Sequence, residues 1–400
     1  MDFVRINYSY VYIVLWMLYY LQEILMLRGV IAQLIFVLLM LMSFYALIQV
    51  NFRYRISPYL KWLNIMLVIL SIYGIIPIIG GWTLTGVYQG MPWMNYLYLQ
   101  TILSSLLPVY AFYYYSIKRD LTLNSFNIVF VVFLAFSIIA FYQNLFSETE
   151  RLERDEITNN AGFFFVPLIP MLHLLKLRDI WKYILLMIIT AFMLMSMKRG
   201  VILAGGVIGV LFVIHHFRGK SLRHLMNILI LSVAAMCAIY LYAMELYSSS
   251  SYFQSRVEQT LSGNSSGRTY IYENYWRYFV EHTNTLEFII GNGANATKVL
   301  LGQYAHNDWL EFAINQGVLG VILYLIYWAV FIREWRYYQG SIECRWVLGD
   351  IIIAYFLISL YSMSFDGMPI AATICLGYCL AENMRGQCRL AYRNENSSIY

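Results

Sequence analysis

Charge is what this chain has least of: only 12% of its 400 residues are Asp, Glu, Lys or Arg, about half the share in an average soluble domain. That scarcity excludes water as the main solvent. Cysteine is also scarce. The five are Cys237, Cys344, Cys375, Cys379 and Cys388, all within or beside apolar runs, so no disulfide framework is indicated. Cys375 and Cys379 lie four apart in an apolar stretch, where packing is the expected role. No small-x-small cleavage site follows the first apolar run, so it reads as a retained helix. The polar segments expected to face outward hold no Asp-x-Asp pair and no histidine cluster of ligand spacing, leaving a metal-dependent mechanism there without visible ligands.

Hydrophobic residues make up 60% of the chain. Apolar runs of about 17–22 residues recur along it, each able to cross a hydrocarbon core about 30 Å thick. The expected spans are 9–27, 29–50, 60–79, 96–116, 125–143, 161–176, 181–197, 200–217, 225–246, 317–332, 346–365 and 368–384. The predicted fold is all-α: a polytopic membrane protein of about 12 transmembrane helices with one large, partly helical periplasmic loop. Its parts are nine spans in 1–247, the loop 248–316, three spans in 317–384 and a cytoplasmic tail 385–400.

Placing both termini in the cytoplasm puts most of the 27 Lys and Arg on that side, as the positive-inside rule requires. The net charge of +5 therefore reports topology, and nucleic acid is not an expected partner. His215, His216 and His224 fall on the cytoplasmic side, where interface anchoring is the better reading. Arg151 and Arg154 sit among acids. Lys198-Arg199 does not: it is a cationic pair in a very short outer turn.

The loop carries the remaining signals. Short helices are expected over 251–261, 269–280 and 307–315, separated by the turn-forming stretches Ser262–Gly267 and Gly291–Gly293. Gly291-Asn292-Gly293-Ala294-Asn295-Ala296 fits the dinucleotide fingerprint by letter, but no strand-helix-strand unit surrounds it. His306 could take a proton from a hydroxyl near neutrality or could simply cap a helix start. Arg268, taken alone, is more often a surface ion-pair partner. Together, Lys198, Arg199 and Arg268 offer cations at helix starts, which suits a phosphate-bearing ligand in the outer leaflet. Tyr270, Tyr272, Tyr275 and Trp276 could stack on sugars or form the apolar face on which the loop rests; the second reading is preferred.

Three marks in sequence resemble the bacterial O-antigen ligase and polymerase superfamily: Met197-Lys198-Arg199-Gly200, Ser266-Gly267-Arg268-Thr269, and His306-Asn307-x-x-Leu310-Glu311 leading to Gln316-Gly317-Val318-Leu319-Gly320. Asn159-Asn160-Ala161-Gly162 adds a weaker one. The resemblance covers roughly residues 159–338. It implies a membrane glycosyltransferase on the periplasmic face of the bacterial inner membrane, acting without cofactor or metal and with inversion on undecaprenyl-diphosphate-linked glycans. It implies Arg199, Arg268 and His306 as catalytic residues, with Lys198, Gly267, Arg277, Asn307 and Glu311 binding substrate. Candidate partners are the lipid bilayer, a chain-length regulator and a flippase. Polymerase is the leading expectation for O-antigen, capsular or exopolysaccharide synthesis. A ligase acting on lipid A core or protein is the alternative, and a lipid-linked glycan flippase is a second.

Overall fold

A computed structural model describes residues 7–25, 27, 29–80, 92–149, 159–217, isolated positions between 226 and 258, 268–365 and 370–397. The described residues are 84% helical, with no strand among them. Its first five helices are α1 (Tyr8–Ile24), α2 (Val30–Arg53), α3 (Pro58–Gly80), α4 (Pro92–Ile117) and α5 (Leu123–Thr149). After a 3-10 turn at Asn160–Phe164 come α6 (Leu168–Leu172), α7 (Asp179–Met195) and α8 (Arg199–Phe217). The loop contributes α9 (Arg268–Arg277), a π turn at Tyr278–His282, α10 (Thr285–Ile290) and α11 (Ala296–Leu300). Last come α12 (Asp308–Arg336), α13 (Ile342–Tyr361) and α14 (Ile370–Ser397).

Among the described residues, six helices are long and apolar enough to cross a membrane: α2, α3, α5, α8, α12 and α13. Their outward faces are apolar too. Val30, Leu34, Leu41 and Phe44 of α2 are all exposed, which suits lipid and not water. α4 is the centre of the bundle, packed against α2, α3 and α14. From Leu106 to Tyr113 its apolar side chains are buried all round. Close approach is possible there because Gly377 of α14 lies over Phe112 and the Tyr113 backbone, where a Cβ would come within 2.8 Å of the Tyr113 nitrogen; small residues serve this purpose in membrane bundles. Tyr12, Trp16, Phe112 and Phe133 fill the space between α1, α4 and α5 with edge-on and tilted ring contacts.

Two expectations need correction. The stretch 161–176 is not a continuous span: it is the 3-10 turn followed by the five residues of α6. Pro167 and Pro170 account for this, because each lacks an N–H for the helical ladder and crowds the preceding turn. The segment is nevertheless interior, with Phe165, Val166, Leu168, Ile169, Met171 and Leu172 fully covered. Nor do the α8 histidines anchor an interface. His216 is buried and stacks on Phe212, with ring centroids 4.3 Å apart, and His215 stacks on Trp346 at 5.1 Å. His224, the expected span 225–246 and the expected helix 251–261 lie outside the described residues or almost wholly so.

α12 is two helices joined at a corner. Gly317 has φ +68° and ψ −162°, so Asp308–Gln316 forms a lead-in and the membrane-crossing part starts beyond it, as the sequence predicts. Such backbone is essentially restricted to glycine. The corner rests on the segment after α10: the Asn292 and Gly293 N–H groups donate to the Ile314 and Asn315 carbonyls at 2.9 Å. A Cβ on Gly317 would lie 2.5 Å from the Ile289 carbonyl. The glycines of the nucleotide-like motif therefore form the bed of this corner.

Candidate functional site

The Lys198-Arg199 turn is built from the α7 end and the Asn159 segment. Met197 adopts a left-handed conformation, φ +52°, which stops α7 and lets α8 start at Arg199. Asn159 fastens the turn by donating its N–H to the Ser196 carbonyl at 3.0 Å and its side-chain amide to the Phe141 carbonyl at 2.7 Å. The Lys198 ammonium donates to Asn160 Oδ1 at 2.5 Å. Gly200 is closed over by Tyr361 at the end of α13, whose hydroxyl donates to the Gly200 carbonyl at 2.7 Å. A side chain at residue 200 would collide with that ring.

His306 sits at a second left-handed position, φ +51°, immediately before α12. Asn307 caps the helix: its side-chain oxygen accepts from the Trp309 and Leu310 N–H groups, and its amide donates to the Leu360 carbonyl at 2.9 Å. Glu311 holds the other side. Its Oε1 accepts the Ala305 N–H at 2.6 Å, and its Oε2 accepts from the Thr297 hydroxyl at 2.6 Å and the Asn315 amide at 3.1 Å. Asp308 ties the same corner to the chain after α13, accepting from the Ser364 and Phe365 N–H groups and from the Tyr324 hydroxyl. His306 is thus overdetermined from three sides, the condition under which a left-handed non-glycine residue persists.

α9 brings the third element. Arg268 is its first residue, and one turn on, the Tyr272 hydroxyl donates to the His306 carbonyl at 3.2 Å and reaches the Leu360 carbonyl at 3.3 Å. Burial first, then the positive charges of Arg268 and Lys198, hold the His306 imidazole below the ordinary histidine value. Burial raises the Tyr272 phenol, against the Arg268 charge and an Asn307 hydrogen bond that pull it down. Arg268 also lies within electrostatic reach of Tyr361. Lys198, Arg268, His306 and the α13 end therefore share one corner.

The expected residues divide accordingly. Arg268 and Lys198 both act on His306, whereas Arg199 is placed only by its position in the chain, as the first residue of α8 between Lys198 and Gly200. Asn307 and Glu311 engage protein partners around His306. Arg277 is exposed at the opposite end of α9, about 14 Å along the axis and half a turn out of phase with Arg268. Gly267 lies outside the described residues. The aromatic group splits as well: Tyr272 and the buried Tyr275 hold the His306 and Gln303 carbonyls, whereas Tyr270 and Trp276 are exposed. Tyr361 and Asp308 were not legible as site residues, since their partners lie 161 and 56 residues away.

A bundle of apolar helices with a cationic, imidazole-bearing corner at one end defines a multi-pass membrane protein equipped to handle an anionic substrate. Residues 184–325 match the family described as O-Antigen ligase. The match spans the Lys198 turn, Arg268 and His306, and supports the resemblance to the O-antigen ligase and polymerase superfamily. No curated protein matches the chain.

Proposed function

We propose that the chain is a polysaccharide polymerase, joining undecaprenyl-diphosphate-linked oligosaccharide repeat units at the periplasmic face of the bacterial inner membrane. The observation that carries this reading is that His306, set at a left-handed position between Ala305 and Asn307 and tied to α9 through Tyr272, lies within electrostatic reach of both Arg268 and Lys198. Neutral His306 takes the proton from an acceptor sugar hydroxyl, whose oxygen attacks the anomeric carbon from the side opposite the diphosphate. The bond from that carbon to the diphosphate oxygen breaks, and the charge left on the lipid diphosphate is met by Arg268, Lys198 and Arg199. The lipid diphosphate is the leaving group, so the reaction needs no metal or cofactor. Asn307 and Glu311, expected to bind substrate, act here by holding His306 in place. Gly267, outside the described residues, keeps its expected role in binding substrate, and Arg277 has a peripheral one.

The description of the matched family favours a second reading, in which finished glycan moves to lipid A core or protein. Purified protein with a synthetic lipid-diphosphate oligosaccharide tests both. Elongation by lipid-linked repeats, lost in Arg268→Ala and His306→Ala, supports the polymerase. Transfer only to lipid A core supports the ligase. Passage of the lipid across vesicles without new glycosidic bonds would establish the flippase instead.

A further inference from the structure

The far end of α8 carries a second cluster that the proposed reaction does not use. His173 follows α6, His215 is in the last turn of α8 and Asp350 lies within α13. His173 Nε2 is 3.0 Å from Asp350 Oδ2, and His215 Nδ1 is 3.9 Å from Asp350 Oδ1. One ligand atom from each of the three can be chosen so that all lie within 4.8 Å of one another. The side chains of His173 and Asp350 are fully buried, and that of His215 is 17% exposed.

Asp350 Oδ1 accepts no hydrogen bond among the described residues, although it is enclosed and points toward His215. A buried carboxylate with an oxygen left in this state is costly unless it takes up a proton or a cation compensates it, and the two imidazoles facing it offer the ligands a cation needs. The nearby charges of Lys182 and Glu343 act on His173 in opposite senses, and the Lys182 ammonium is directed at the His173 carbonyl, 3.5 Å away. A separation of 3.9 Å is too long for a hydrogen bond. It is close to the spacing of two ligands on one metal ion: atoms about 2.0–2.1 Å from a tetrahedral zinc lie about 3.3 Å apart.

We propose that His173, His215 and Asp350 bind a zinc ion. Two imidazoles and one carboxylate suit a borderline divalent cation of this kind, and the observed separations of 3.0 and 3.9 Å lie on either side of the tetrahedral value. The ring faces are already fixed by aromatic neighbours, His215 by Trp346 at 5.1 Å and His173 by His216 at 5.3 Å; such outer contacts orient ligands before the metal arrives. His173 also lies on the wall of a cavity of about 330 Å³ with Lys176, Lys182 and Glu343, which supplies an entry path. The ion would sit about 24 Å along α8 from Arg199, far from the proposed reaction. Its role is to join α8 to α13 at the end opposite the Tyr361–Gly200 contact, and it does not depend on the glycosyl-transfer reading.

The test uses the full chain in detergent, stripped with chelator, dialysed against Zn2+ and analysed by plasma mass spectrometry and thermal unfolding. About one tightly held zinc per chain and a higher unfolding temperature are expected. His215→Gln and Asp350→Asn should lose the metal, while His282→Gln, outside the cluster, retains it. Co2+ bound to the unmodified chain should show the visible absorption of a four-coordinate nitrogen and oxygen site without thiolate bands, a readout independent of how the variants fold. Failure to retain zinc, thiolate bands from Cys344, or full binding by Asp350→Asn would each overturn the proposal.

Discussion

Glu311→Gln separates holding the catalytic corner from touching the substrate. In the wild type both carboxylate oxygens accept: Oε1 from the Ala305 N–H, and Oε2 from Thr297 and Asn315. The amide that replaces them has one oxygen and one NH2, so in either orientation a donor faces a donor. The cheaper orientation keeps the oxygen on Ala305, weakens that bond by removing the charge and sets NH2 against the Asn315 amide. The loss is about 2 kcal/mol, taking hydrogen bonds to charged groups at about 1.5–3 kcal/mol and neutral ones at about 1. If all of it falls on the placement of His306, turnover drops about 30-fold. Steady-state kinetics on a lipid-linked repeat should show kcat falling with KM nearly unchanged, and hydrogen exchange should show faster exchange at Ala305 without substrate. A raised KM with kcat intact would mean that Glu311 contacts the sugar, and the positioning argument would fail.

Other outcomes follow from the same geometry. The pH profile should keep its acid limb below the ordinary histidine value: the competent imidazole is neutral, burial and two cations lower its pKa, and activity is lost only as pH falls through that lowered value. Lys198→Met removes one of those cations and should move the limb to higher pH; an unmoved or lowered limb contradicts the pairing. Gly317→Ala places a side chain in a glycine-only conformation against the Ile289 carbonyl and should cost roughly 2–5 kcal/mol, read as a lower unfolding temperature in detergent; unchanged stability would show that the corner is not fixed. Tyr361→Phe removes the hydroxyl that closes on Gly200 and should lower kcat several-fold while leaving the bundle folded, as judged by circular dichroism; undiminished kcat would separate α13 from the site.

Local features of the fold were legible and distant ones were not. The break at Gly317 follows from a glycine between the helical patterns 307–315 and 317–332, and the start of α8 beside residue 200 from a cationic pair between two apolar runs; the capping role of Asn307, which the pattern put inside the helix, was not read. The stretch 161–176 misled because apolar length hides backbone chemistry: Pro167 and Pro170 outweigh the hydropathy around them. Glu311 and Asn307 were expected to bind substrate but engage protein partners beside His306 instead, because a carboxylate that binds sugar and one that binds the chain look alike in sequence. The zinc ligands are beyond sequence reading for a different reason. Residues 173, 215 and 350 meet only because α8 and α13 pack together, and counting charges by side of the membrane assigned His215 to an interface.

The most direct test of the central claim is single-turnover transfer from a synthetic lipid-diphosphate oligosaccharide by purified His306→Ala, Arg268→Ala and Lys198→Met. The account predicts that His306→Ala and Arg268→Ala form no glycosidic bond while still folding as the wild type, and that Lys198→Met retains transfer with its acid limb displaced upward. Wild-type rates in His306→Ala would contradict it.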